Sequence, residues 1–367
     1  MGNERAAISE EERTLLRDTV RGMLAEEWPV DGAVERANDA NAMERIWRSL
    51  ARQGLTKLGF DAEEGGLREI LLVFEELGRA SCPAPLLGAV LINLLARRGG
   101  GTAESLGSLS EALHSGSAVA AIAFGAFDGD EAAGQVTLRN GGVSGRVAFV
   151  ENAATATHFV LFVDAPAGIV VLPADATSSV VPTPGLAVPA LSELSFSGTN
   201  AALVEVSGAR LAELADVARL CCAARALGAA QRGFELALEH AKTRKQFGQF
   251  IGQFQAIQHK LADCLTRLDG ARLTLDAAAM AFDREFENWS VFAAAALAYA
   301  GPNLRQVVLE SHHTMGAIGY AEEHEMPRHF RRIHADLARW GGVNRARGKL
   351  ADYLLGPAAS GAEEERR

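Results

Sequence analysis

RKQFGQFIGQFQAIQHKLAD, residues 244–263, is the segment whose reading decides the rest of this 367-residue chain. Its second half, continued a little further, repeats apolar residues at helical spacing: Phe254, Ile257, Leu261, Cys264, Leu265 and Leu268. That pattern predicts an amphipathic helix packed through one face. The first half is a different object. A guanidinium (Arg244), an amide (Gln246), an aromatic ring (Phe247) and a glycine (Gly248) crowd together just ahead of the helix. An arginine fork suits a pyrophosphate, a phenyl face suits a flat ring, and glycine allows close backbone approach. An amphipathic helix alone leaves these four residues unexplained.

Helical patterning surrounds this segment from about Leu211 to Leu355. Asp216–Thr243 is dense in Ala and Leu, and Trp289–His312 reads as a helix that tolerates Gly301-Pro302 only as a kink or a break. Upstream, Ser117 to Gly208 changes period. Short β-branched runs (Ala118–Phe124, Gln135–Arg139, Gly145–Val150, His158–Val163, Gly168–Leu172) are separated by Gly, Asp, Asn and Pro. Asn140-Gly141 between two of them marks a hairpin. With no crossover helices, an antiparallel sandwich or barrel is expected. The first stretch, to Gly116, reads helical: Ser9 and Glu12 have capping-box spacing, followed by Leu15, Val20 and Leu24, then helices over Ala42–Gly54, Leu67–Gly78 and Leu86–Arg97. The glycine-rich Gly99–Gly107 loop lacks the phosphate-loop pattern. Domain boundaries are therefore expected at 1–116 (helical), 117–208 (β) and 209–355 (helical), with 356–367 a disordered tail.

Composition removes several function classes. The net charge is −10 and the sequence pI about 5.5, so no basic stripe exists for nucleic acid. The longest apolar run, Val291–Ala300, is too short to span a membrane. The N-terminal stretch has no signal-peptide core, and Cys82, Cys221, Cys222 and Cys264 lack metal or disulfide-framework spacing. A cytoplasmic protein with buried thiols is the expectation. Histidines 312, 313, 324, 329 and 334 resemble a metal cluster only on paper: steps of five residues turn about 140° round a helix, so no metal site is expected.

Segment 244–263 closely resembles the R-x-x-F-G-x-x-I-x-x-F-Q-x-I-Q-x-x-L-A-D motif of the acyl-CoA dehydrogenase superfamily. Met315-Gly-Ala-Ile-Gly-Tyr320 with Phe330-Arg-Arg332 resembles that family's Q-x-x-G-G-x-G-Y/F segment and following arginine. Glu64-Gly-Gly66, Glu75-Glu-Leu-Gly-Arg79 and Pro83 resemble its first domain, and the helical, β, helical order extends the likeness over nearly the whole chain. The resemblance implies an α+β fold with an N-terminal helical bundle, a middle antiparallel β-barrel or sandwich and a C-terminal four-helix bundle. It also implies FAD and α,β-dehydrogenation of acyl-CoA thioesters, in which a carboxylate takes the α-proton and flavin N5 the β-hydride.

Departures from the pattern fall on one side of the site. The family's glutamate base aligns with Gly341 in one placement and with Ala218, next to Arg219, in the other. Neither accepts a proton, so the resemblance implies no catalytic residue in this chain. The T-E-P-x-x-G-S-D loop aligns with Ala123–Asp130, placing Ala123 and Gly129 where threonine and serine touch the flavin. The W-I-T segment aligns with Ala148, Phe149 and Val150, and Val343 and Arg345 replace a further threonine and glutamine. These belong to the subunit that holds the flavin ring. The contacts that a neighbouring subunit lends to FAD are largely kept: Arg244, Gln246, Phe247, Gly248, Ile251, Phe254 and Gly316, with His313 and Ala317 substituting a glutamine and a glycine. The pattern implies the base-less subunit of a heteromeric dehydrogenase, sharing FAD at a subunit interface. A paralogue would supply the glutamate, acyl-CoA is the substrate and electron-transfer flavoprotein the acceptor. A homo-oligomeric flavoenzyme with an unconventional base or other flavin chemistry and a non-catalytic scaffold are the alternatives; Glu322, Glu323 and Glu325 are the candidate replacement bases.

Overall fold

The computed structural model describes residues 8–61, 65–97, 104–125 and 133–356. Glu64, most of the Gly99–Gly107 loop, Gly129 with its neighbours, and the tail after Gly356 lie outside the described residues.

Helix α1 (Glu10–Glu27) opens with the capping box: Ser9 Oγ accepts from the Glu12 N–H, and the Glu12 carboxylate accepts from the Ser9 N–H at 2.7 Å. Val20 and Leu24 are buried, but Leu15 faces solvent, because five residues before Val20 lies about 140° round the helix. After α2 (Ala33–Ala37) and α3 (Ala40–Arg52) comes α4 (Leu67–Arg79), then α5 (Leu86–Arg97) and α6 (Glu104–His114). Arg13–Glu69 (2.7 Å) and Arg21–Glu76 (2.8 Å) tie α1 to α4. The N-terminus of α4 is capped from a distance: Asp283 accepts from the Leu67 and Arg68 N–H groups and fills the space a Cβ on Gly66 would need.

The middle region holds β1 (Ala120–Ala123), β2 (Val136–Arg139), β3 (Gly142–Val150), β4 (His158–Asp164), β5 (Ala167–Pro173), β6 (Ser179–Thr183), β7 (Leu191–Asn200) and β8 (Leu203–Glu205). Asn140 and Gly141 turn β2 into β3 with φ of 49° and 76°, as the Asn-Gly signal requires. Two open four-stranded sheets form, β1-β4-β5-β8 and β2-β3-β7-β6. The barrel alternative is thus corrected to two open sheets. The all-antiparallel expectation is corrected too, because β1 runs parallel to β4; the intervening β2–β3 hairpin serves as the crossover a parallel pair needs. Val143, Val147, Phe159, Leu161, Leu194 and Phe196 form part of a separate apolar core within this region.

The last region holds α7 (Gly208–Thr243), β9 (Lys245–Gln246), β10 (Gln249–Phe250), α8 (Gln255–Asp283), α9 (Trp289–Met315), α10 (Met326–Ala338) and α11 (Gly342–Leu355). α7 to α10 pack as a four-helix bundle and α11 lies against α9. α9 runs through Pro302 without interruption. The buried stripe of α8 continues Leu261, Cys264, Leu268, Ala271 and Leu275, leaving Leu265 46% exposed. Leu265 therefore leaves the face assigned to it, because it lies one residue, about 100°, past Cys264. α4 and α7 interlock through glycines: a Cβ on Gly78 would land on the Arg225 carbonyl, and one on Gly228 on the Glu75 carbonyl. No helix among the described residues is long and apolar enough to cross a membrane.

Candidate functional site

Arg244 ends α7, its N–H bonding the His240 carbonyl at 2.8 Å. The chain then doubles back as a miniature hairpin in which Lys245 pairs with Phe250 and Gln246 with Gln249. Its two-residue turn is Phe247-Gly248, at φ of 53° and 84°. Such turns favour Asn-Gly because both residues need positive φ; phenylalanine there is strained. Phe247 is nevertheless 93% exposed, its ring edge-on to Phe254 with 6.2 Å between the centroids. The root of the hairpin is firm. Ile251 N–H bonds the Arg244 carbonyl (2.9 Å), Phe250 N–H the Gln253 side chain (3.1 Å), and Gln258 the Gly252 carbonyl (3.0 Å). Arg244 is exposed and makes no ion pair among the described residues.

His313 and the Gly316–Tyr320 turn terminate α9. Lys260–Glu310 (2.8 Å) and Arg267–Asn303 (2.8 Å) fix α8 and α9 antiparallel, in a register that sets Phe254 level with Gly316. The structure therefore brings both groups of predicted residues, 244–254 and 313–317, to one end of the bundle. His313 is exposed beside Glu310 at 3.6 Å, and Gly316 (φ 63°) and Ala317 are exposed as well.

The other side of the site is differently made. β3 loses register with β7 between Val147 and Val150, and the bulge throws Phe149 to φ 62°. Opposite it, Trp340, Gly341 and Gly342 link α10 to α11 at φ of 50°, 75° and 47°. Between these loops lies a cavity of about 260 Å³, walled by Ala148, Phe149, Leu186, Leu191, Arg339 and Trp340 among others. No carboxylate stands among its described lining residues. Ala218 is fully buried in α7, and a side chain on Gly341 would be strained by its backbone and crowd Arg345. The candidate bases lie elsewhere: Glu322 pairs with Arg331, and Glu325 with Arg232 and His329. Those partners hold the Glu325 carboxyl at about 2, against the opposing effect of burial, too acidic for a general base near neutrality.

Behind the cavity stands a network that the sequence reading missed. Glu151 meets Arg225 (2.9 Å), Arg332 (3.2 Å) and Arg339 (2.7 Å), while Asp336 meets Arg225 (2.7 Å) and Arg332 (3.5 Å). All five are buried. Burial opposes ionisation of Glu151, but three guanidiniums outweigh it and hold its carboxyl well below the usual range. Only the Arg332–Asp336 spacing of four residues was a sequence signal; the other members come from separate elements. Arg219, next to Ala218, donates to the Trp340 carbonyl at 2.9 Å. Arg146 is a surface partner of Glu193. His329 is buried against Ser81, and among the described residues no group of three or more His, Cys, Asp or Glu is placed to hold a metal. All four cysteines are buried and free.

The description "Acyl-CoA dehydrogenase, C-terminal domain" matches residues 208–351, and its N-terminal counterpart matches 10–105. Acyl-CoA dehydrogenase IpdE2 of Mycobacterium tuberculosis is 30% identical over 341 residues, 88% of this chain and 91% of that protein. The chain belongs to the acyl-CoA dehydrogenase family. It is accordingly an oxidoreductase of the class acting on the CH–CH bond of acyl-CoA, with FAD as the family's cofactor. Among solved structures, a glycine-to-alanine variant of the Tcur3481-Tcur3483 steroid ACAD superposes with a TM-score of 0.84 at 25% identity, covering 95% of this chain and 99% of that one. The ChsE4-ChsE5 complex of M. tuberculosis gives 0.82 at 22% identity, covering 95% and 98%, a likeness of fold. Tested against FAD, the exposed arm with Arg244, Gln246 and Phe247 fits the pyrophosphate and a ring face. The 260 Å³ cavity lies below the usual ligand-pocket range of about 300–1,000 Å³ and does not fit the whole molecule.

Proposed function

We propose that this chain is the base-less subunit of a heteromeric acyl-CoA dehydrogenase, whose residues 244–254 and 313–317 complete an FAD site on a paralogous partner. The observation that carries this reading is the strained, 93% exposed Phe247 on a firmly rooted arm, together with a cavity wall that lacks a carboxylate among the described residues. A chain holds a large apolar ring at positive φ in water only where something outside it covers the ring. Two neighbours in fold point the same way: the Tcur3481-Tcur3483 and ChsE4-ChsE5 structures each bear the names of two components.

FAD, when bound, accepts the hydride. In this assignment Arg244 holds pyrophosphate charge, Gln246 and His313 offer hydrogen bonds, and Phe247 covers a flat face. Gly248, Gly316 and Ala317 leave room for the ligand, while Ile251 and Phe254 support the arm. The partner contributes the glutamate, the substrate is an acyl-CoA thioester and the acceptor electron-transfer flavoprotein. Domains divide at 116/117 and 208/209, and the setting is cytoplasmic. The test is the visible spectrum of the chain purified alone and with its genomic neighbour paralogue. A colourless solo chain and a yellow co-eluting pair with less than one FAD per chain support the proposal; stoichiometric FAD in the solo chain overturns it.

One observation favours a homomeric flavoenzyme as the second reading. His334 lines the cavity, and its Nδ1 faces the Phe330 carbonyl at 3.0 Å, which leaves Nε2 as the basic nitrogen. That reading requires turnover by the solo chain, lost in His334→Ala.

A further inference from the structure

His312 occupies a place where the fold gives an imidazole nothing to bond. It lies in the last turn of α9, directly before His313 and the Gly316–Tyr320 turn. It is 3% exposed, and neither ring nitrogen has a hydrogen-bond partner among the described residues. Its surroundings are aromatic: Tyr320 tilts against it with 4.8 Å between centroids, and Phe330 of α10 meets it edge-on at 5.2 Å. The turn is seated on the ring, since a Cβ on Gly319 would stand 3.4 Å from the His312 Nδ1. A neutral imidazole held this way forgoes one donated and one accepted bond. A leucine or phenylalanine would fill the space without that cost. What imidazole adds is the capacity to take a proton near pH 6.5.

Among the described residues no acid stands ready to receive that charge. On α9 the next residue is His313, which faces Glu310, itself held by Lys260 of α8. The turn into α10 brings His324 and α10 brings His334, while His240 near the end of α7 lies in the field of Arg244 and His324. Glu322 is engaged by Arg331, Glu325 by Arg232 and His329, and Glu323 is exposed. Burial therefore pushes the His312 imidazolium towards lower pKa. His313, His324 and His334 push the same way, against a smaller opposing effect of the Gly319 backbone. We infer that His312 is a positioning residue of the flavin half-site: its neutral ring seats the Gly316–Tyr320 turn, and its protonation unseats that turn together with Gly316, Ala317 and the helix end that carries His313. The sealed ring takes a proton only when the turn lifts, so acid favours the lifted form. The seated form is fully held above the value of an exposed imidazole, about 6.5, and loses ground as pH falls below it. The consequence for FAD rests on the half-site reading; the seating of the turn does not.

Two measurements test this. In the full chain purified alone, amide hydrogen exchange of residues 313–320, corrected for the intrinsic pH dependence of exchange, is compared with that of residues 261–275 at pH 7.5 and 5.5. Protection of the turn is expected to fall about threefold or more in acid, as uptake of one proton allows, while that of α8 holds. Parallel behaviour of the two segments overturns the inference. In the co-purified heteromer, FAD release at the same two pH values is expected to rise about threefold in the unmodified protein. It should stay level in His312→Gln and His312→Phe, neither of which ionises. An acid rise that persists in these variants overturns the inference, and so does release at pH 7.5 that already matches the unmodified protein at pH 5.5, which would make the position structural only. Should neither variant fold, the exchange measurement on the unmodified chain decides. A turn that loosens in acid beside flavin indifferent to pH sinks the half-site reading alone; a turn that stays protected sinks this inference alone.

Discussion

The arm at Lys245–Phe250 and the cavity between Phe149 and Trp340 both use strained backbone, in opposite settings. The arm puts its strained phenylalanine into solvent, with Arg244 exposed at its base and a root held by backbone and amide hydrogen bonds. At the cavity Trp340 is buried and Phe149 is partly covered, at 37% exposure, and five buried charges converge behind them. The strain at Phe247 has almost no packing of its own chain around it, whereas that at Trp340 is held inside the chain's own core. The difference teaches that the same backbone strain can stand on an isolated surface arm or be sustained by buried packing.

The contrast breaks most visibly through the arm. In the co-purified heteromer, Arg244→Ala or Phe247→Ala should lower FAD retention at least about tenfold, since each removes a charge-assisted or ring-face contact. The stability of the isolated chain should move by no more than about 0.5 kcal/mol, as for other exposed side chains. Retention measured by absorbance after gel filtration checks this, and an unchanged yellow complex would end the distinction. Phe247→Gly sharpens the point: it should relieve the positive-φ strain yet lose flavin as severely as the alanine variant.

On the cavity side the sign reverses. Asp336→Asn leaves Arg225 and Arg332 short of a counterion in the interior, and should cost about 3–5 kcal/mol in denaturant unfolding with no direct effect on the arm. A loss below about 1 kcal/mol would show that the network is far better hydrated than its geometry indicates.

A smaller effect concerns the Arg232–Glu325 link between α7 and the start of α10. The Glu325 carboxyl is held at about 2 in the folded chain, against an ordinary value of 4.5. A depressed carboxyl contributes stability above its unfolded value and loses it as pH falls towards the folded one. Glu325→Gln should therefore destabilise the chain at pH 7 and flatten the fall in stability between pH 4.5 and about 2. An unaltered acid limb would refute the assignment. The smallest expected change is Ser9→Ala, about 1 kcal/mol for loss of the α1 cap, read by the same unfolding curves; it should leave FAD retention untouched.

Much of the fold was legible because its signals are local. The Ser9–Glu12 box, the Asn140-Gly141 turn and the α5 span emerge as read, and the amphipathic period of α8 differs mainly at Leu265. β6, β7 and β8 were missed. β6 is mostly exposed, and β7 mixes Ser, Glu and Gly into its alternation, so neither stands out as a hydrophobic run. The parallel β1–β4 pair was illegible as well, because pairing partners depend on where the sheet brings distant strands, not on what either strand contains.

The sequence by itself determined the family motif, the order of helical and β regions and the absence of a carboxylate side chain at Gly341 and Ala218, because residue identity and spacing suffice for each. Tertiary structure alone decided that residues 244–254 and 313–317 share one end of the bundle, and that Glu151, Arg225, Arg332, Asp336 and Arg339 form one buried cluster. Those residues are separated by up to 188 positions. Only the packing of α7 and α10 against the sheet brings their charges close enough, and far enough from water, to act on one another.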